Sequence, residues 1–288
     1  MTGALERRPL RRAVIAGGIE IHYAEEGTGP ALVFVHGGMG DWSSWAPQWE
    51  AFTPHFRCIT YSRRYSSPNS NPIASLNHSV VAEAQDLAAL LVTWEVDRVI
   101  LVGTSYGAFT ALKFALSHPG KVIALALTEP PVLPLADRTE GGRDARERFE
   151  REVLAPATEA FAAGGRESAV HLLTEGINGS GPGEASTPAG RERRLRNAEA
   201  MRALLISSEP FPALDETALH GFDRPTLLLH GVRTLEVHRA TTFALSRLMP
   251  RAELMEVPES GHGVHRDNPA AFNNIVLDFL MRRLATPT

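Results

Sequence analysis

Gly103-Thr104-Ser105-Tyr106-Gly107 is a G-x-S-x-G pentapeptide, the spacing of a nucleophile presented on a sharp strand-to-helix turn. A strand that reverses into a helix within a few residues leaves no room for side chains at the flanking positions, so both are glycine. The apex residue is held in a strained conformation with its side chain exposed. The helix N-terminus behind it offers free N–H groups to a developing negative charge. A serine hydroxyl is a poor nucleophile near neutral pH and needs a base within hydrogen-bond reach. His262 stands in Gly261-His262-Gly263, with His265 close by and His230 at the end of an apolar run. The chemistry this points to is nucleophilic attack on a carbonyl.

The elements that must position these residues are legible around them. Residues 99–102 are a short apolar run, as in a strand buried on both faces of a parallel sheet. Residues 108–117 carry apolar residues at helical spacing until His118-Pro119-Gly120 stops them. Residues 31–35 form another buried strand and run into His36-Gly37-Gly38-Met39-Gly40, where glycines let backbone N–H groups approach a ligand. Trp42 and Trp45 follow and are expected to pack. Residues 56–61 are a further strand, followed by Arg63 and Arg64. Two adjacent arginines at a strand end could bind an anion, but a solvated or ion-paired loop is the expected role. Asn77 or Ser79 caps an amphipathic helix reaching about Thr93. Residues 122–127 form one more buried strand and end in Thr128-Glu129-Pro130-Pro131.

This alternation predicts an α/β fold with a doubly wound, mostly parallel sheet whose sites form at the C-terminal ends of strands. From residue 132 to 219 the character changes to charged amphipathic segments, roughly 143–163, 167–177 and 191–207, with no buried strand. Residues 178–190 read as a flexible linker rich in Gly, Pro and Ser. The expected organisation is a core of residues 1–131 and 220–288 with a helical lid, residues 132–219, over the sheet's C-terminal edge. The sheet resumes with strands at 225–230 and 253–257, and with helices near 240–248 and 270–284.

Composition bounds the remaining possibilities. A chain of 288 residues with 43% hydrophobic and 22% charged residues can bury one large core. The net charge of −4 gives no basic footprint, so neither nucleic acid nor membrane is an expected partner. The single cysteine, Cys58, lies in a mostly apolar run and reads as an inert core thiol. Arg7, Arg8, Arg11 and Arg12 are followed by no apolar stretch of export-signal or membrane-span type, and a cytoplasmic location is the default.

His36-Gly37-Gly38 after an early strand, Gly103-Thr104-Ser105-Tyr106-Gly107 after a later one, and Gly261-His262 after the last resemble, in that order, the α/β-hydrolase family. The resemblance covers nearly the whole chain outside residues 132–219. It implies Ser105 as nucleophile and His262 as general base and later acid, with His265 and His230 outside the Gly-His position. It implies an oxyanion hole from the backbone N–H groups of Tyr106 and Gly38, with Gly37 as the fallback second donor. Many relatives place an aspartate three residues after the glycine ending the penultimate strand. Here that residue is Thr234, and the next acid is Glu236.

Glu129 is the better candidate acid. It ends the strand expected beside the elbow strand, one spacing of about 4.8 Å away. Pro130 is expected to hold it in extended geometry. The order Ser105, Glu129, His262 matches the family's nucleophile, acid, base sequence, and zearalenone-type lactonases place their acid at this strand end. The implied activity is hydrolysis of an ester, lactone or thioester of a mostly hydrophobic small molecule through an acyl-enzyme. Carbon–carbon bond hydrolysis, biosynthetic acyl transfer or cyclisation, and a ligand receptor with little turnover are the alternatives. No metal-ligand cluster or dinucleotide loop is present in the sequence, so no cofactor is expected.

Overall fold

A computed structural model describes residues 4–73, 76–179, 183 and 187–285. Residues 180–182 and 184–186 of the predicted 178–190 linker therefore lie outside the described residues. Eight strands, β1 (Arg11–Ile15), β2 (Ile19–Glu26), β3 (Ala31–Val35), β4 (Arg57–Tyr61), β5 (Val99–Thr104), β6 (Val122–Thr128), β7 (Thr226–Gly231) and β8 (Ala252–Val257), form one sheet. Their order is β1-β2-β4-β3-β5-β6-β7-β8. β1 and β2 pair antiparallel, as do β2 and β4, and every later pairing is parallel.

The apolar runs are explained by burial on both faces. Leu32 and Phe34 of β3, with Ile100 and Val102 of β5, pack on one side. Ala31, Val33 and Val35, with Val99 and Leu101, pack on the other. Helices α1 (Ala46–Phe52) and α12 (Pro269–Ala285) cover the first face through Trp49, Phe52, Phe272 and Phe279. Helices α2 (Val80–Thr93), α3 (Tyr106–Ser117) and α10 (Glu236–Leu248) cover the second through Leu87, Phe109 and Leu245. Ser79 is the cap of α2, its hydroxyl accepting the Val81 N–H at 3.3 Å. Cys58 is buried, and burial pushes its thiol pKa up, which makes it inert at ordinary pH.

After β3 the chain crosses to β4 on one side, then returns to β5 on the other. The loops after β3 and β5 thus diverge and leave a crevice at the C-terminal ends of the strands. That crevice is where the glycine-rich loop and the elbow meet.

Between β6 and β7 the regular structure of the described residues is helical: α4 (Gly142–Phe149), α5 (Ala155–Ala162), α6 (Arg166–Asn178), α7 (Pro188–Arg196), α8 (Ala198–Leu205) and α9 (Glu216–Gly221). This segment is fastened to the core by Asp41, which caps the short helix Trp42–Trp45 and also accepts from Arg196 Nη2 and Asn197 Nδ2, each at 2.8 Å. Asn197 in turn accepts the Ser67 N–H at 2.8 Å. A four-residue α11 (Val264–Asp267) follows β8. No helix among the described residues is long and apolar enough to cross a membrane.

Candidate active site

Ser105 occupies the turn between β5 and α3 with φ 52° and ψ −126°. The glycine pattern has the expected cause. A Cβ on Gly107 would fall 2.2 Å from the Val35 carbonyl oxygen, and one on Gly103 would fall 2.7 Å from Ala108 Cα. The Ser105 N–H donates to the Thr128 carbonyl at 2.8 Å, which stitches the elbow to the end of β6.

Thr104 and Thr128 are register partners, so the next residues, Ser105 and Glu129, leave the sheet side by side. Glu129 departs from the sequence expectation. Its φ is 44°, not an extended value. The following proline favours extended backbone at residue 129, so the left-handed conformation is held against that preference. A non-glycine residue there costs about 1–3 kcal/mol and needs its surroundings to hold it. The Glu129 N–H donates to the Leu229 carbonyl at 3.1 Å. Its fully buried carboxylate receives the Gly231 N–H at 2.8 Å on Oε1, and on Oε2 the Thr234 hydroxyl at 2.8 Å and His262 Nδ1 at 2.6 Å. Burial alone would raise this carboxyl's pKa; the His262 hydrogen bond and charge, with the Gly231 N–H, hold it below the ordinary glutamate value. Thr234, three residues after the glycine that ends β7, is therefore a donor to the carboxylate that follows the neighbouring strand.

His262 sits on the turn after β8. The Gly261 N–H donates to Asp267 Oδ2 at 2.9 Å, and a Cβ on Gly231 would fall 2.3 Å from the Gly261 carbonyl oxygen. The turn is thus seated directly on the end of β7. With Nδ1 donating to Glu129, Nε2 holds the unprotonated lone pair, and it has no hydrogen-bond partner among the described residues. Ser105 and His262 line one cavity.

Glu236 and His230 separate from this group, whereas His265 lines the same cavity with its ring held against Trp45. Glu236 is exposed and pairs with Arg239. His230 lies edge-on to Phe243, ring centroids 5.3 Å apart, and His265 packs on Trp45 at 4.6 Å. Donor-type atoms of Glu129, His238 and His262 lie within 4.8 Å of one another. They make a poor metal cage. Glu129 Oε2 and His262 Nδ1 are spent on each other, and the two imidazoles stack 29° from parallel, so their lone pairs do not converge.

The glycine loop is held from behind by Arg63, which is buried. Its Nη2 donates to the Gly37 and Gly38 carbonyls, each at 3.1 Å, while Nη1 pairs with Glu83. The peptide between Gly37 and Gly38 is trans, so with its carbonyl turned to Arg63 the Gly38 N–H points the opposite way. The Arg63 N–H also donates to His36 Nε2 at 2.9 Å, which leaves His36 Nδ1 as the donor to the Gly37 carbonyl, also at 2.9 Å. Burial and the Arg63 charge hold His36 neutral, its pKa lowered to about 3. Glu83 accepts from His78 and from Thr110, each at 3.0 Å. Burial would raise the Glu83 pKa, but the Arg63 charge and the His78 hydrogen bond bring it to about 2. Of the two loop arginines, then, Arg63 is a buried brace, and Arg64 is ion-paired with Asp86 as expected.

Phe149, Leu154, Ile177, Met201 and Phe211, all between β6 and β7, give the cavity an apolar wall. Arg193, Arg194 and Arg266 add a cationic stretch that the sequence reading did not place there.

With this geometry in view, the chain's relatives fall into place. The profile of the Alpha/beta hydrolase family matches residues 32–275, and the chain belongs to that family. It is 26% identical over 279 residues to the 2-hydroxy-6-oxo-2,4-heptadienoate hydrolase of Pseudomonas putida, covering 94% of this chain and 96% of that one. It is 28% identical over 261 residues to the sn-1-specific diacylglycerol lipase of Mus musculus, covering 88% and 82%. Among solved structures, Est816, described as an N-acyl homoserine lactone degrading enzyme, superposes with a TM-score of 0.74 at 22% identity, covering 94% of this chain and 100% of that one.

Proposed function

We propose that this α/β-hydrolase cleaves an ester or lactone bond of a mostly apolar small molecule through an acyl-enzyme on Ser105. The observation that carries the reading is the hydrogen bond between His262 and buried Glu129, formed over the cavity that Ser105 lines. The Ser105 hydroxyl attacks the carbonyl carbon as its proton passes to His262 Nε2. The tetrahedral oxyanion is received by the N–H groups of Tyr106 and Gly38. As the tetrahedral centre collapses, the leaving oxygen takes the proton from Nε2. Water, deprotonated by the same nitrogen, then releases the acid and restores Ser105. Glu129 keeps the Nδ1–H tautomer and supports the imidazolium. Residues 132–219 act as a lid whose apolar side chains select the substrate, and no cofactor takes part.

The test is covalent labelling by a fluorophosphonate together with turnover of a simple aryl ester. Ser105→Ala is expected to abolish both while keeping the wild-type melting temperature. Labelling that persists in the variant would place the nucleophile elsewhere. Carbon–carbon bond hydrolysis is the second reading, favoured by the heptadienoate hydrolase relative. It requires turnover of a vinylogous diketone with little on aryl esters.

A further inference from the structure

Beside His262 lies a second buried histidine that the acyl-transfer steps do not use. His238, in the first turn of α10, stacks its ring on that of His262, with centroids 4.1 Å apart and planes 29° from parallel. Phe149 meets the same ring edge-on at 5.7 Å. His238 Nε2 lies 3.0 Å from the Ile177 carbonyl oxygen in the last turn of α6. A carbonyl can only accept, so Nε2 carries the proton and the tautomer is fixed. Burial and the neighbouring His262 charge lower the His238 pKa to about 3, so the ring stays neutral across the ordinary working range.

The hydrogen bond from Nδ1 to Glu129 is the one hydrogen bond that the described residues make to the His262 ring. A ring held at one edge can rock about that bond, and rocking carries Nε2, the atom that must meet the Ser105 proton, away from its mark. A flat neighbour at stacking distance removes that freedom. We propose that His238 is a positioning residue: its ring fixes the plane of His262, and its bond to the Ile177 carbonyl ties that plane to the end of α6. The inference rests on the assignment of Ser105, His262 and Glu129 made above. It gives residues 132–219 a part in aligning the base as well as in shaping the cavity.

The experiment compares His238→Ala, which removes ring and hydrogen bond, with His238→Phe, which keeps a flat ring and loses only the hydrogen bond. On one aryl ester, the alanine variant is expected to lose about 10- to 100-fold in kcat, the scale of a displaced catalytic group, with KM within about twofold. The phenylalanine variant is expected to recover to within about fivefold of wild type. The groups facing His262 are the Glu129 carboxylate, His238 itself and, along the α11 turn, His265. Its titration is read from the acid limb of kcat/KM. That limb should move to higher pH in the alanine variant, where water replaces the ring and solvates the imidazolium, and should stay in place in the phenylalanine variant. A merely structural role would lower the melting temperature and leave the limb unmoved.

Wild-type kcat and an unmoved limb in the alanine variant would overturn the proposal. So would a phenylalanine variant as slow as the alanine one with both limbs unmoved. His238→Leu, which fills the space without a flat face, stands in for alanine if alanine does not fold. Nitrogen-15 spectra of the His262 ring supply an arm that needs no turnover. In the alanine variant Glu129 should keep the Nδ1–H tautomer while exchange broadening of the Nε2 signal reports the rocking ring, and an unbroadened signal refutes the positioning role. If Ser105→Ala retains full activity, the functional reading fails, and these spectra still decide whether His238 holds His262.

Discussion

The ends of β6 and β7 lie side by side in the sheet and meet the same carboxylate from two directions. β6 leads into Glu129, which carries the charge; β7 ends in Gly231 and leads to Thr234, which together bring an N–H and a hydroxyl to it. The charge and the donors that aim it need not share a strand, provided that the donors converge on the carboxylate that faces the imidazole. A threonine after β7, where the sequence resemblance leads one to expect an aspartate, is therefore consistent with a site whose charge lies one strand over.

The strongest way to break this comparison is to remove the charge from β6. Glu129→Gln should lower kcat on an aryl ester by about 10⁴, because the imidazolium loses its counter-charge and the ring can adopt the wrong tautomer. Adding Thr234→Asp to that variant returns a carboxylate to the neighbouring strand and should restore at least about tenfold of the loss. No recovery would mean that the two strand ends are not interchangeable. A smaller effect is expected from Thr234→Val, which deletes one hydrogen bond to a buried charge and should cost about tenfold in kcat.

Thermal melting sharpens the same contrast. The Glu129 carboxyl is held below its ordinary value of 4.5 in the folded state. Its contribution to stability is therefore complete above the unfolded value and is lost as pH falls through the lower folded value. Between about pH 6 and about pH 3, Glu129→Gln should lose less of its melting temperature than wild type does. The smallest effect belongs to Glu236→Gln: exposed and paired with Arg239, it should stay within about twofold of wild-type kcat, and a crippled variant would return the acid to the loop after β7.

Much of this site was legible in the sequence because its causes are local. The glycines around Ser105 announce a turn too tight for side chains, and the apolar runs of β3, β5 and β6 announce burial on both faces. Glu129 could be singled out because the strand before it was expected to lie beside the elbow strand, as β6 does beside β5. Its left-handed backbone could not, since Pro130 favours extended geometry and the observed conformation comes with partners distant in the chain, the Leu229 carbonyl and His262. β1 escaped notice because Arg11 and Arg12 are exposed on an edge strand and only Ala13 and Ile15 point inward. Arg63 could be read as a loop cation, but the brace needs Glu83, which arrives only when α2 packs on the sheet. Thr234 and His238 have no local signature at all: a hydroxyl and an imidazole acquire roles here from partners more than twenty residues away in the chain.

The stitch from the Ser105 N–H to the Thr128 carbonyl also bears on how the site fails under heat. Ser105 and Glu129 are spaced by the hydrogen-bond ladder between β5 and β6, among the last structure to open in a protein of this kind. His262 rides on a turn, seated through Gly231 and Asp267. Mild heating should therefore disengage the base while nucleophile and acid keep their separation. Inactivation would then precede unfolding and reverse on cooling, as a hinge reseats against an unmoved frame.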